Sequence, residues 1–445
     1  MKKLALPLIV LLCAAVAIAV TARDPAPAWS TVSEEAMAAF EAGLQAQMKL
    51  YTAESNEHFR RAVEIDPDFV GAKLAWWWNV RGSETAKKLK QEIEAVDLTT
   101  LTPREVVLVR YRLAEDQKDQ ETADRVLAEY LERYPDDPFV FKIECQKRWD
   151  QQRFLEAEEC YRRLIADDPN WVMAQNLLGY LAMSRGDFRA AEEQFTIYRY
   201  LAPDQANPHD SMGELLALTG RFDEAAENFR RAIEVRQDFC PAWGHLVESY
   251  LLAGSHDEAR RAIEAGLDSE YCRQFYRDIN PQCFVDLDER FALADWKAVW
   301  QLADDPACPD LPRFSPVPFF RAALALDRRE DAKELREMIA GYKSDPGEPS
   351  DLIPFLEAIE LDFDGDPAAA EPLLAAIDDR LHYWSLQSGT FKVAVKIQHA
   401  KVLRQLGRED EANARLAEAR RVNPVLTERW NGVFGGQPQD TARAR

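Results

Sequence analysis

Hydrophobic positions recur along most of this chain in a helical rhythm, and that rhythm itself repeats. Between Trp171 and Pro203, the residues Leu177, Leu178, Leu181 and Ala182 recur at helical spacing. Gly186-Asp187 interrupts the run, and Ala190, Ala191, Phe195 and Tyr198 then form a second apolar face. Pro203 stops that run, because proline lacks the N–H a continuing helix needs. The same plan returns every 34 residues: Ala123, Ala157, Ala191, Ala225 and Ala259 share one phase. Leu127, Tyr161, Phe195, Phe229 and Ile263 share another, as do Pro135, Pro169 and Pro203. Gly186, Gly220 and Gly254 mark the break between the two helices of each unit, and Gly179 and Gly213 pair at the same step. Small residues at Gly179 and Ala191 let the paired helices approach, with Phe195 filling the space beside them.

This pattern resembles the tetratricopeptide repeat, a 34-residue helix–turn–helix of the form Trp-x2-Leu-Gly-x2-Tyr, then Ala, Phe, Ala and Pro. Trp243, Leu246 and Tyr250 match it in the unit starting at Cys240, with Val247 at the glycine position. The preceding two units keep Gly179 and Gly213 but place Gln175 and His209 where the family has Trp. The resemblance implies an all-α, right-handed solenoid of helical hairpins, each contacting its neighbours. The repeats are expected over 33–268 and are clearest over 104–268. Residues 269–315, with Cys283, Trp296, Trp300 and Cys308, read as an irregular helical insert with one hairpin from Phe291 to Leu302. Degenerate repeats follow over 316–425, ending in a clear unit with Leu403, Gly407, Ala412, Leu416, Ala419 and Pro424. Residues 426–445 read as a frayed polar tail.

The N-terminus adds a location. Lys2-Lys3 precede an apolar run from Leu4 to Val20 and then Thr21-Ala22-Arg23. This is the layout of a secretory signal over residues 1–22, with a retained membrane anchor as the alternative. Residues 23–32 read as a linker. The expected location is therefore exported, in the periplasm or another extracytoplasmic space. Outside the leader lie Cys145, Cys160, Cys240, Cys272, Cys283 and Cys308, an even number compatible with disulfides there. Cys145 and Cys160 fall on the two helices of one hairpin and are the candidate pair. No cysteine spacing suggests structural zinc.

Charge removes one class of function. The formal net charge is -22, which repels a phosphate backbone and argues against nucleic acid. Motifs remove others. The sequence has no GxxxxGK[ST], GxGxxG, HExxH or GxSxG, and its six histidines are scattered, so no cofactor or catalytic group is assigned. Asp362-Phe363-Asp364-Gly365-Asp366 resembles the opening of a calcium loop but lacks the rest, and reads as a turn between helices. Pro208-His209-Asp210 reads as a packed His209 beside a groove-facing Asp210. Of Trp76-Trp77-Trp78, one or two should pack between helices.

The resemblance also implies a binding face, formed by positions 2, 5, 9, 12 and 13 of each first helix. These give a candidate groove of Met173, Asn176, Tyr180, Met183, Asp210, Glu214, Leu218, Glu248, Leu251 and Leu252. The groove carries apolar, amide and acidic groups with no Lys or Arg. It suits a protein or peptide partner that is partly apolar and neutral or basic. The alternative is a groove filled by the chain's own C-terminal half. The function expected is a non-catalytic scaffold for protein–protein interaction in an envelope complex. The alternatives are an anchored sensor or regulatory domain, or, less favoured, an enzyme with its site in 270–315.

Overall fold

The computed structural model describes residues 26–169, 171–268, 272–273, 280–341 and 351–434. The leader, the tail from 435 and parts of the 269–315 insert lie outside the described residues. All regular elements among the described residues are helical. The chain divides into two compact units, up to Ala174 and from Gln175.

The first unit holds α1 (Glu34–Met48), α2 (Thr52–Ile65), α3 (Val70–Asn79), α4 (Glu84–Glu94), α5 (Pro103–Asp116), α6 (Gln120–Arg133), α7 (Pro138–Asp150) and α8 (Phe154–Asp167). Local chemistry sets several of its helix starts. Thr102 and Glu105 form a reciprocal capping box at α5, with Pro103 in the first turn. Asp137 caps α7, accepts from Tyr130 Oη at 2.6 Å and is paired with Arg104 at 2.8 Å. Residues 26–32 do not behave as a free linker. Trp29 packs edge-on against Phe40, Phe69 and Phe139, and the Ser30 hydroxyl donates to Glu105 at 2.7 Å. Of the tryptophan run, Trp77 is buried, Trp76 packs at the core edge, and Trp78 lies between the Arg81 and Arg112 guanidiniums. A disulfide joins Cys145 and Cys160 across α7 and α8.

The second unit continues with α9 (Met173–Ser184, whose residues from Gln175 belong to it), α10 (Phe188–Leu201), α11 (Ala206–Leu218), α12 (Phe222–Val235), α13 (Cys240–Ala253) and α14 (His256–Leu267). These are the hairpins of the strict repeat. Gly186, Gly220 and Gly254 take left-handed φ values of 76°, 78° and 77° where first and second helices meet. A β-carbon on Gly213 would lie 2.5 Å from the Phe229 ring, so the close approach of α11 and α12 requires glycine there. Ala191, Ala225 and Ala259 are fully buried at the same interface.

The insert contributes α15 (Gln282–Ala292), α16 (Trp296–Gln301) and α17 (Leu311–Phe314). Disulfides join Cys283 to Cys308 and Cys240 to Cys272. The hairpin expected over Phe291–Leu302 instead starts earlier: Asp295 caps α16 and α15 carries the first arm. Then come α18 (Pro316–Ala325), α19 (Arg329–Gly341), α20 (Leu352–Phe363), α21 (Pro367–Arg380), α22 (Leu386–Gln405), α23 (Glu409–Val422) and α24 (Pro424–Phe434). The Asp362–Asp366 stretch is an inter-helix turn, with Gly365 left-handed and Asp362 buried against Lys401 at 2.8 Å.

The frayed tail expected from 426 is a correction. Residues 424–434 form α24, whose Leu426, Val433 and Phe434 are buried. The reason lies in buried Arg321. It donates to the Val433 carbonyl at 3.0 Å and to Gln398 at 3.3 Å, and faces the Phe434 ring at 4.8 Å. A buried guanidinium needs such partners, and α24 supplies a carbonyl and a ring face.

Candidate functional site

The first helices α9, α11 and α13 present equivalent positions one repeat apart. Tyr180, Glu214 and Glu248 follow one another at the 34-residue step and form a ladder across three neighbouring helices. Tyr180 Oη donates to Glu214 at 2.6 Å and lies 3.2 Å from the Ser211 hydroxyl. One residue past the same step, His245 Nδ1 lies 3.0 Å from an Asp210 carboxylate oxygen.

This ladder is covered from above by the chain's own C-terminal half. The Tyr383 N–H donates to the Ser184 carbonyl at 3.1 Å, and its ring meets Phe188 edge-on at 5.3 Å. The Leu386 N–H donates to Glu214 at 3.3 Å. That N–H belongs to the first turn of α22, a helix of 20 residues, so Glu214 acts as an anion at a helix N-terminus. Gly389 packs directly on Leu218. Asn423 Nδ2 donates to the carbonyls of Ala217 at 3.2 Å and Leu218 at 3.1 Å in the last turn of α11. Arg429 donates to the Leu252 carbonyl at 3.2 Å and also reaches Leu251 O and Asp288.

The candidate groove residues therefore separate into two groups. Asn176, Met183, Asp210, Glu214, Leu218 and Leu252 are buried, and Met173 and Tyr180 are half-buried. At α11 the expectation of an open groove is corrected: its lining is the seat of α22 and α23–α24, because one exposed row of carbonyls and carboxylates is matched by N–H donors of the same chain. Glu248 and Leu251 are half-buried and remain at the edge of open space.

That space consists of two adjoining apolar cavities. One, of about 460 Å³, is walled by Trp243, Val247, Ile263, Leu267 and Pro281. The other, of about 360 Å³, is walled by Leu252, Leu287, Phe291, Phe391, Trp430 and Phe434. Glu248, Leu251, Phe284, Ser315 and Gln387 border both. The Gln387 amide donates to Glu248 where the two cavities adjoin.

Electrostatics in this region are dominated by buried acids. Burial alone would depress the His245 imidazolium, yet Asp210, Glu214 and the bond to Asp210 lift it to about 10. Burial raises the Glu214 carboxyl, with His245 opposing and Asp210 adding to the rise. Burial likewise pushes Glu248 up to about 7 against the pull of His245 and Gln387. Asp210, Glu214 and His245 offer one ligand atom each within 4.8 Å of one another, the donor set of a divalent cation. Their donor atoms already bond to one another, to Tyr180 and to the Leu386 N–H, so the cluster is self-satisfied without an ion.

The sequence reading missed His245, Gln387, Asn423 and Arg429. For His245 the signal was available, since it lies 35 residues after Asp210 and so faces it from the next first helix. The other three come from segments far along the chain, which the repeat phase does not place. In the insert, Cys283 and Cys308 are joined to each other and Cys272 to Cys240, so none offers a thiolate.

Paired antiparallel helices, glycine breaks at a fixed phase and a shared alanine–aromatic interface define a helical-hairpin repeat protein. Residues 146–206 and 212–270 match the family model of the tetratricopeptide repeat. This chain carries tetratricopeptide repeats over 146–270, and such repeats are scaffolds for protein interaction. Among solved structures, the crystal structure of MamA is 18% identical, with 39% of this chain and 95% of that chain covered and a TM-score of 0.32. A tetratricopeptide repeat protein from Parabacteroides merdae is 12% identical over 62% of this chain and 93% of its own, with a TM-score of 0.37. PilF of Pseudomonas aeruginosa is 16% identical over 55% and 98%, with a TM-score of 0.30. No curated protein sequence matches the chain.

Proposed function

We propose that this protein is an exported, non-catalytic scaffold that holds a peptide segment of a partner protein in the paired cavities beside Glu248 and Leu251. The partner segment is partly apolar and neutral or basic. The observation that carries this reading is the contrast along one face: the ladder at α11 is sealed by α22 and α24, whereas the apolar space at α13 and α15 stays open. Apolar walls with a few polar groups at the rim are the usual makeup of a binding site. Export is supported by the leader pattern and by the pairing of all six remaining cysteines. The place of action is an envelope complex.

A photo-crosslinking residue in place of Phe284, in protein made in its native cell, should trap one polypeptide. Leu251→Trp fills the cavity and should abolish the adduct. Adducts that persist unchanged in Leu251→Trp would remove the cavities from the function. Export is checked on the same material: a mature N-terminus near Arg23 and no reactive thiol before reduction are expected. The apolar run of Leu4–Val20 also supports an anchored form, which an intact N-terminus in the membrane fraction would establish.

A further inference from the structure

We infer that the cavities select a basic side chain, a lysine or arginine of the bound peptide that pairs with Glu248 while aliphatic neighbours enter the two apolar chambers. This inference rests on the peptide-binding reading above and narrows it to one chemistry.

Glu248 stands on the border shared by both cavities. Among the described residues, no Lys, Arg or His lines either cavity, whereas Glu248 and Asp288 do. Asp288 is already matched by Arg429 and by His256 at 2.8 Å. Glu248 is not matched in this way. Its hydrogen-bond partner is the exposed Gln387 amide. The nearest cation, His245, is held by Asp210 at 3.0 Å. Around His245 stand three carboxyl groups, Asp210, Glu214 and Glu248, so this one cation is shared among three acids.

Each class of ligand meets this charge differently. An acidic side chain would be repelled by Glu248. A neutral one would leave the carboxylate desolvated and without a counter-charge, which is costly. A basic side chain forms a charge-assisted hydrogen bond, about twice as strong as a neutral one. Its methylene stem can lie along Leu251 and Phe284, as long cationic side chains commonly do over apolar surface. A cation beside Glu248 would oppose the effect of its burial and favour the ionised carboxylate.

Three capped pentapeptides, Val-Leu-Xaa-Leu-Val with Xaa as Lys, Gln or Glu, test this by calorimetry on the mature protein. The Lys peptide should bind roughly tenfold or more tighter than the Gln peptide, and the Glu peptide weakest. Glu248→Gln should bring the Lys and Gln peptides to equal affinity, weakening the Lys peptide and not the Gln peptide. A parent-like near-ultraviolet circular dichroism spectrum in that variant confirms an intact fold. Leu251→Trp should remove binding of all three. Equal binding of Lys and Gln peptides to the parent, with Leu251→Trp still abolishing both, overturns the charge selection and leaves the pocket reading standing. No binding by any peptide, or binding indifferent to Leu251→Trp, overturns both.

Discussion

Asn423→Ala tests whether the C-terminal half is seated on the repeat face through a few specific bonds. Asn423 is fully buried, and its side chain serves three backbone groups. Nδ2 donates to Ala217 O and Leu218 O, and Oδ1 accepts from the Leu426 N–H at 2.9 Å. Loss of the Leu426 bond removes the N-terminal cap of α24, worth about 1 kcal/mol. Loss of Nδ2 takes a donor from two buried carbonyls at the end of α11, of which Ala217 O keeps the Gly220 N–H, costing roughly 1–3 kcal/mol. The two effects add to about 2–4 kcal/mol in a shared location. Urea unfolding should show that loss, and amide exchange should accelerate in 424–434 before it does in α11 and α12. Asn423→Asp sharpens the test, since it keeps the cap but points an acceptor at two carbonyls. It should destabilise at least as much as Asn423→Ala. A loss below about 0.5 kcal/mol in the alanine variant, or an aspartate variant as stable as the parent, would refute the seating described.

The remaining predictions concern the buried cluster and the repeat interface. His245 is raised from 6.5 to about 10, so its stabilisation is fully present below pH 6.5 and lost as pH rises through 10. Glu248 is raised from 4.5 to about 7, so the folded state holds its proton longer and stability also falls as pH rises across that window. Facing these groups are Tyr180 from α9, Asp210 and Glu214 from α11, and Gln387 from α22. The unfolding midpoint should decline from pH 6.5 to 10 by the equivalent of about 3–5 kcal/mol, and His245→Phe should flatten that decline. Parallel pH profiles for parent and variant would discount the cluster. Gly213→Val should destabilise by roughly 2–4 kcal/mol, because its β-carbon meets the Phe229 ring and overpacks the hairpin. Adding Phe229→Leu should recover part of the loss, and no recovery would mean that the helix pair is not limited by that contact.

Much of this protein was written in its sequence. The 34-residue phase named the buried alanines, the aromatic that fills each hairpin and the glycine that breaks it, since each property depends on residues within one repeat. It also aligned Tyr180, Glu214 and Glu248 on one face. The phase carried no information on what meets that face. The segments that cover it, Tyr383 to Gly389 and Asn423 to Arg429, lie more than 170 residues from the groups they bind in the bonds to Glu214, Ala217, Leu218, Leu251 and Leu252. Asn423 and Arg429 look like ordinary polar residues until carbonyls in the last turns of α11 and α13 come within reach. The sequence alone determined a row of repeating hairpins with an acidic, partly apolar face. Only the tertiary structure decided which part of that face satisfies the chain's own N–H groups and which part, beside Glu248, stays open, because hydrogen-bond satisfaction is settled between segments that no local periodicity connects.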